Sequence, residues 1–323
     1  VLENVFETDQ FERVGSDGNF CGGSDGRFIH TTMDITGDGR PDLVVTDRCD
    51  EGGAGTMRWD VHENTGSGFA ASPTAWTLPE DVFETDMSTD TQWLLDEHRT
   101  NDRVGLMPGT GYLDLAIAAL DQRSDRAPIE VSEVVFLAPF LVADGDAATL
   151  RLTLDRDAAD FVISSSSTGP SHEHARGRIR RLDEDAPSPV DVDSIRARCG
   201  ERVTEFDRYS NPQLQWGPRW DVLRKVEYGD SEAIATLALS PSSIADLTDH
   251  RLHPAILDLA TGGALELIPG FTTGDDFFVP FSYGRLRLHR DLVDQMYSHI
   301  RIRPAQDQET AVFDITVVDP SGA

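Results

Sequence analysis

The rhythm of apolar positions changes along this chain. From residue 1 to about 81 they fall in short runs between Asp, Ser, Thr and close to half of all the glycines, a texture that predicts turn-rich β structure. From Gln92 onward the apolar stretches lengthen. Tyr112, Leu113, Leu115, Ala116, Ala119 and Leu120 follow Pro108-Gly109 and leave almost no polar face, so a buried helix is expected there. Strands are expected at 131–137, 148–154 and 160–165, a turn at 166–171, and another strand from His174.

The same order then repeats. An acidic, proline-containing linker at 183–193 and a short helical stretch to Cys199 lead to expected strands at 220–227 and 233–239. A second buried helix is expected at 254–267, followed by strands at 278–289, 297–302 and 311–318. A buried helix with an antiparallel sheet, twice over, predicts an α+β double hotdog in which each sheet wraps its own helix. The expected divisions are a small β-rich segment at 1–81, an N-terminal hotdog at 82–182, a linker at 183–200 and a C-terminal hotdog at 201–323.

Composition narrows the partners. A net charge of -29 over 323 residues argues against nucleic acid or an anionic membrane, both of which repel such a surface. No apolar run is long enough to span a bilayer, and Val1-Leu2-Glu3-Asn4 does not read as a signal peptide, so a cytoplasmic location is expected. Cys21, Cys49 and Cys199 are too few and scattered for a disulfide scaffold; Cys21 and Cys49 would pair only in an oxidising compartment.

The glycine-rich segment carries Asp34-Ile35-Thr36-Gly37-Asp38-Gly39-Arg40-Pro41-Asp42. Oxygen side chains at Asp34, Thr36, Asp38 and Asp42, with the Arg40 carbonyl between them and a glycine at the sharp turn, predict a Ca2+ loop. The alternative is an Asp/Gly turn without metal. With Arg58-Trp59-Asp60 to Gly68-Phe69 downstream, the segment resembles a single FG-GAP/VCBS-type repeat, whose loops bind calcium between propeller strands. One blade cannot close a propeller, so the adhesive role of that family transfers weakly. Glu3-Asn4-Val5-Phe6-Glu7-Thr8-Asp9 is nearly repeated as Glu80-Asp81-Val82-Phe83-Glu84-Thr85-Asp86, so the segment reads as an insertion or fusion, the alternative being chance recurrence of a short acidic strand.

Two residues stand out chemically. Asp258 lies inside the apolar run Leu252-His253-Pro254-Ala255-Ile256-Leu257-Asp258-Leu259-Ala260, and His98 ends Trp93-Leu94-Leu95-Asp96-Glu97-His98. Each sits beside a helix expected to be buried, so the pair reads as a proton acceptor and a proton donor for one small substrate. The plain reading of Asp258 is a helix cap, and His253 reads as a buried or capping residue. His172 and His174 face one side of a strand but lack a third metal ligand.

From about residue 82 to 320 the chain resembles the dehydratase domain of modular polyketide synthases. The resemblance is carried, in order, by Trp93 to His98, Pro108-Gly109-Thr110-Gly111-Tyr112-Leu113, Val134-Val135-Phe136-Leu137-Ala138-Pro139 and His174-Ala175-Arg176-Gly177. It continues through Trp216-Gly217-Pro218-Arg219-Trp220, Leu252 to Asp258 and Val279-Pro280-Phe281-Ser282-Tyr283-Gly284. It implies a hydro-lyase, a 3-hydroxyacyl-[acyl carrier protein] dehydratase, that removes water from a β-hydroxyacyl thioester to give an α,β-unsaturated chain in polyketide biosynthesis. His98 matches the base and Asp258 the acid. An aspartate in that role must hold its proton near neutral pH, and burial against Ile256, Leu257 and Leu259 is expected to supply the desolvation. Backbone N–H groups at the start of the helix after Pro108, with Gly109 allowing close approach, would stabilise the thioester oxygen, and Trp216-Gly217-Pro218 would line the acyl channel.

The resemblance implies no catalytic cofactor beyond the phosphopantetheine that carries the substrate. It implies an acyl carrier protein and the other synthase domains as partners, and it allows a homodimer. Carrier proteins are usually acidic, so Arg176, Arg178, Arg180 and Arg181 are the expected docking patch. In two places the chain departs from the family. The family spaces its motif as His, three residues, Gly, four residues, Pro, whereas Asp102 stands fourth after His98 and Pro108 comes one residue late. Where the family orients its aspartate with Gln or His four residues on, this chain has Gly262. Two other functions compete: a calcium-dependent binding or adhesion protein on an inactive hotdog scaffold, and a dehydratase-like cyclase or double-bond isomerase.

Overall fold

A computed structural model describes residues 28–48, 58–77, 80–123, 126–155, 159–166, 171–208, 212–271, 278–304 and 310–323. The Cys21–Cys49 question and the first copy of the acidic echo lie outside them. The chain divides into two compact units, Val1–Phe83 with Thr153–Ala159, and Glu84–Leu152 with Asp160–Ala323.

In the first unit, β1 (Phe28–Met33), β2 (Asp42–Arg48), β3 (Arg58–His62) and β4 (Thr74–Thr77) form a four-stranded sheet in sequence order. Leu43, Val44, Val45 and Val61 are its buried apolar residues. The β1–β2 connection is held by its own amides. Asp34 accepts the N–H groups of Gly37, Asp38 and Gly39 at 2.8–3.0 Å, with Gly37 and Gly39 in the left-handed region (φ 77° and 83°). Asp38 accepts from the Arg40 amide at 2.9 Å and pairs with its guanidinium at 2.8 Å. Asp42, fully buried, accepts from the amides of Ile35, Thr36 and Asn64 and from the Thr36 hydroxyl.

The expected calcium loop gains no support from this arrangement. Asp34, Thr36, Asp38, Arg40 and Asp42 turn their side chains onto the loop itself, and among the described residues no group of three His, Cys, Asp or Glu side chains is placed to hold a metal ion. Asx-turn geometry produces the same alternation of oxygens as a cation site does, so spacing alone did not separate the two.

The second unit begins within β5 (Glu80–Ser88) and continues through α1 (Trp93–Asp96), β6 (His98–Thr100), β7 (Gly105–Leu106) and α2 (Gly109–Asp121). Next come β8 (Ile129–Phe136), β9 (Leu141–Val142), β10 (Ala147–Asp155), β11 (Asp160–Ser166), β12 (His172–Arg181) and α3 (Val192–Arg198). β13 (Arg202–Glu205), β14 (Leu214–Trp216), β15 (Leu223–Tyr228) and β16 (Glu232–Ala238) lead to α4 (Pro254–Gly262), and β17 (Ser282–Leu288), β18 (Gln295–Ile302) and β19 (Phe313–Val318) end it.

Strands run β17-β8-β12-β11-β10-β5 in a six-stranded sheet and β13-β15-β16-β18-β19 in a five-stranded one. Helix α2 packs on β8 and β12, α4 packs on β16, β18 and β19, and the two helices touch. Both are apolar nearly all round, and Leu113, Ala116, Ala255 and Ala260 expose nothing to solvent. This is the α+β double hotdog.

The halves exchange strands, which the repeat in the sequence did not predict. β17 leaves the second half to pair antiparallel with β8, Ser282 opposite Val135 and Leu288 opposite Ile129. β14 pairs with β6 in a small sheet ordered β14-β6-β7-β9. Apolar alternation marks a strand but not its partner. Helix α4 also stops at Gly262, short of 267, because two successive glycines give little helix propensity. The strand expected from Trp220 starts only at Leu223, since Pro218 opens a 3-10 turn over Pro218–Trp220.

Candidate active site

His98 begins β6 directly after the short helix α1 and is 5% exposed. Its Nδ1–H donates to the Leu106 carbonyl at 2.7 Å, which leaves Nε2 with the lone pair. Burial disfavours the imidazolium and holds His98 below the usual imidazole range, although the nearby Asp258 charge pulls the other way. A neutral imidazole with one nitrogen pinned is a base with a fixed aim. The longer turn after His98 is absorbed at the β6–β7 hairpin tip, where Arg103 takes a left-handed conformation (φ 66°).

Asp258 lies on the second turn of α4 and is half-buried, less than its apolar neighbours led us to expect. Its Oδ2 accepts the indole N–H of Trp220 at 2.8 Å. The same indole lies 5.1 Å, centroid to centroid, from the His98 ring. His98 and Asp258 thus both contact one fully buried tryptophan. Tyr283 stands close by, its hydroxyl donating to Thr261 at 3.3 Å; burial and the Asp258 charge push it up to about 12.

Pro108 is the N-cap residue of α2 and Gly109 its first helical residue. A Cβ at Gly109 would come within 3.1 Å of the Phe136 ring and 3.3 Å of Pro280, so glycine permits the close wall there. The Thr110 hydroxyl donates to the Pro254 carbonyl at 3.0 Å and ties the start of α2 to the start of α4. Trp216 lies opposite His98 in the β14–β6 pair. The Gly217 amide donates to the Glu97 carbonyl at 2.8 Å, and a Cβ at Gly217 would stand 2.6 Å from Glu97 Cβ. Pro218 opens the turn that delivers Trp220.

A partly buried ionic frame backs this wall. Arg219 pairs with Glu97 through its guanidinium and its amide, both at 2.6 Å, and with Asp246 at 2.6 Å. Its guanidinium lies 5.0 Å from the Trp93 ring centroid, which in turn is 5.5 Å from Trp220. Sequence reasoning missed Trp220, Arg219 and Glu97. The signal for Trp220 was present as a second tryptophan four residues after Trp216, paired with the missing polar side chain at Gly262.

The expected docking arginines do not form a basic patch. Arg176 faces Glu173 at 3.9 Å, Arg178 Asp160 at 3.1 Å, Arg180 Glu130 at 2.6 Å and Arg181 Asp121 at 2.8 Å. Nor do His172 and His174 make a metal site: His174 bonds Ser165 at 2.7 Å and the Ala138 carbonyl at 3.1 Å.

Two buried helices, each under its own sheet, with strands exchanged between the halves, define a double-hotdog protein in which His98 and Asp258 both contact Trp220. The comparisons agree on a narrower class. A model described as polyketide synthase dehydratase domain matches residues 74–166, and one described as polyketide synthase dehydratase N-terminal domain matches 187–323. The chain is similar to polyketide synthase ThaG of Burkholderia thailandensis, 29% identical over 240 residues, covering 68% of this chain but only 4% of that protein. It shares its fold with the dehydratase domain from the CurF module of curacin polyketide synthase, with a TM-score of 0.67 at 24% identity over 76% of this chain and 89% of the other. A trans-AT polyketide synthase dehydratase domain from Brevibacillus brevis gives the same TM-score and identity over 76% and 90%. The chain belongs to the polyketide synthase dehydratase family.

Proposed function

We propose that this chain dehydrates a β-hydroxyacyl thioester presented on the phosphopantetheine arm of an acyl carrier protein. His98 Nε2 takes the α-proton, the β-hydroxyl leaves with the proton of Asp258 as water, and the electron pair of the Cα–H bond becomes the new double bond. Negative charge developing on the thioester oxygen is met by the backbone N–H groups that follow Pro108, from Gly109 onward, where α2 begins. Trp216, Gly217 and Pro218 form the wall beside His98. No step needs a metal or a redox cofactor.

The observation that carries this reading is the pairing of a buried histidine, with Nδ1 committed to Leu106, and a helix carboxylate on the same tryptophan. The test is turnover of a β-hydroxyacyl pantetheine thioester by the wild type, Asp258→Asn and His98→Ala, read by mass spectrometry. Each variant should lose at least ~100-fold in rate while keeping its fold, the scale of a removed general acid or base. Wild-type turnover in Asp258→Asn would sink the proposal. A cyclised or double-bond-shifted product would move the reading to the cyclase or isomerase class.

A further inference from the structure

We infer that Trp220 is the residue that positions the proton donor: its indole N–H holds Asp258 Oδ2 and so leaves the transferable proton on Oδ1. This inference rests on the dehydratase reading given above and names a role within the same site.

Helix α4 itself offers Asp258 no side-chain partner. The residue three positions on, Thr261, spends its hydroxyl on the carbonyls of Leu257 and Asp258 at 3.0 and 3.1 Å. The residue four positions on, which stacks over Asp258 on the helix face, is Gly262. Among the described residues, the side-chain donor to the carboxylate is Trp220 Nε1 at 2.8 Å. An indole N–H only donates. The oxygen it holds must therefore be the acceptor in both protonation states, and a proton carried by Asp258 belongs on the other oxygen.

The donor is rigid as well as unambiguous. Trp220 exposes no surface, sits in a turn opened by Pro218, and donates its amide to the Gly217 carbonyl at 3.2 Å. Its ring is flanked by Trp93 at 5.5 Å and His98 at 5.1 Å. The preceding residue, Arg219, is clamped by Glu97 and Asp246. Because that ring also packs on the base, one side chain sets the spacing between proton acceptor and proton donor. Trp220 is thus a positioning residue, acting through Asp258.

Trp220→Phe keeps the ring packing and removes the N–H. Loss of a hydrogen bond to the carboxylate that becomes charged as Asp258 gives up its proton predicts a fall in kcat of ~10–100-fold, with KM within about threefold. Adding Gly262→Gln should restore at least ~10-fold, because an amide one turn on can reach the same oxygen by helix geometry, and a Cβ at Gly262 meets no atom within 4 Å. A purely structural Trp220 would not be rescued from position 262. In the Asp258→Asn background, Trp220→Phe should cost little more.

A second measurement does not depend on Trp220→Phe folding: the Trp220 indole N–H resonance in 15N-labelled protein should move in Asp258→Asn. An unmoved resonance overturns the inference, as does full activity of Trp220→Phe. If Asp258→Asn is inactive while Trp220→Phe is fully active, the role of Trp220 falls and the dehydratase reading stands. If both are fully active, both fall.

Discussion

His253 is the N-cap residue of α4, its Nδ1 facing the Ile256 amide at 3.5 Å, and it should make the protein acid-labile. The ring exposes nothing, stacks on Trp93 at 5.5 Å, lies 6.1 Å from the His250 ring and places Nε2 3.8 Å from Asp246. Burial first, then the charges of His250 and Arg219, disfavour its protonation; Asp246 opposes them, and the result is a fall from 6.5 to about 4. Between those values the unfolded chain binds a proton that the folded chain refuses. Stability present above the unfolded value is therefore lost as pH falls toward the folded one. At about 1.36 kcal/mol per pH unit the complete loss is ~3 kcal/mol, and roughly 2 kcal/mol is gone by pH 5. Urea unfolding of the wild type and His253→Asn across this range isolates the effect. Asn caps a helix without titrating, and the Asp114–His250 pair at 2.5 Å is common to both proteins. The wild type should lose roughly 2 kcal/mol more than the variant by pH 5. Parallel stability curves would refute the reasoning.

Because His98 must be unprotonated to act and burial holds it below the usual range, kcat/KM should rise with pH with its acid-limb midpoint under 6.5; a midpoint at or above 7 contradicts the assignment. Gly217→Ala forces a methyl against Glu97 and disturbs its bonds to Arg219, so it should cost ~1–3 kcal/mol in urea unfolding and lower turnover through His98, the next residue. In the first unit, Asp42→Ala should destabilise by ~1–3 kcal/mol, because three amides and a hydroxyl lose a buried acceptor, whereas Asp38→Ala should stay within about 0.5 kcal/mol. Excess calcium or a chelator should leave both unfolding midpoints unchanged, and a calcium-dependent rise would reopen the loop as a cation site.

Much of this architecture was legible because its strongest signals are local. Buried helices without a polar face announced α2 and α4, and alternating runs announced β8, β10, β11, β16, β18 and β19. Asp258 stood out because an ionisable group inside an apolar run needs a partner, and His98 because it closes a segment before the first helix expected to be buried. What escaped depended on pairing across long separations. No periodicity tells β17 to join β8 or β14 to join β6, yet that second exchange carries the Trp216 strand to His98 and, through the turn opened by Pro218, Trp220 to Asp258. The acidic neighbours of the β12 arginines escaped for a related reason. Alternation placed Arg176, Arg178 and Arg180 on one exposed face, while Glu130 and Asp160 arrived from neighbouring strands to cancel two of them. The oxygens of the β1–β2 loop could not be assigned from spacing because a cation and a set of backbone amides ask for the same residues. Gly262 shows the converse: an absence visible in the sequence acquires meaning only once the fold brings a tryptophan from thirty-eight positions upstream to the carboxylate that Gly262 leaves without a side-chain partner.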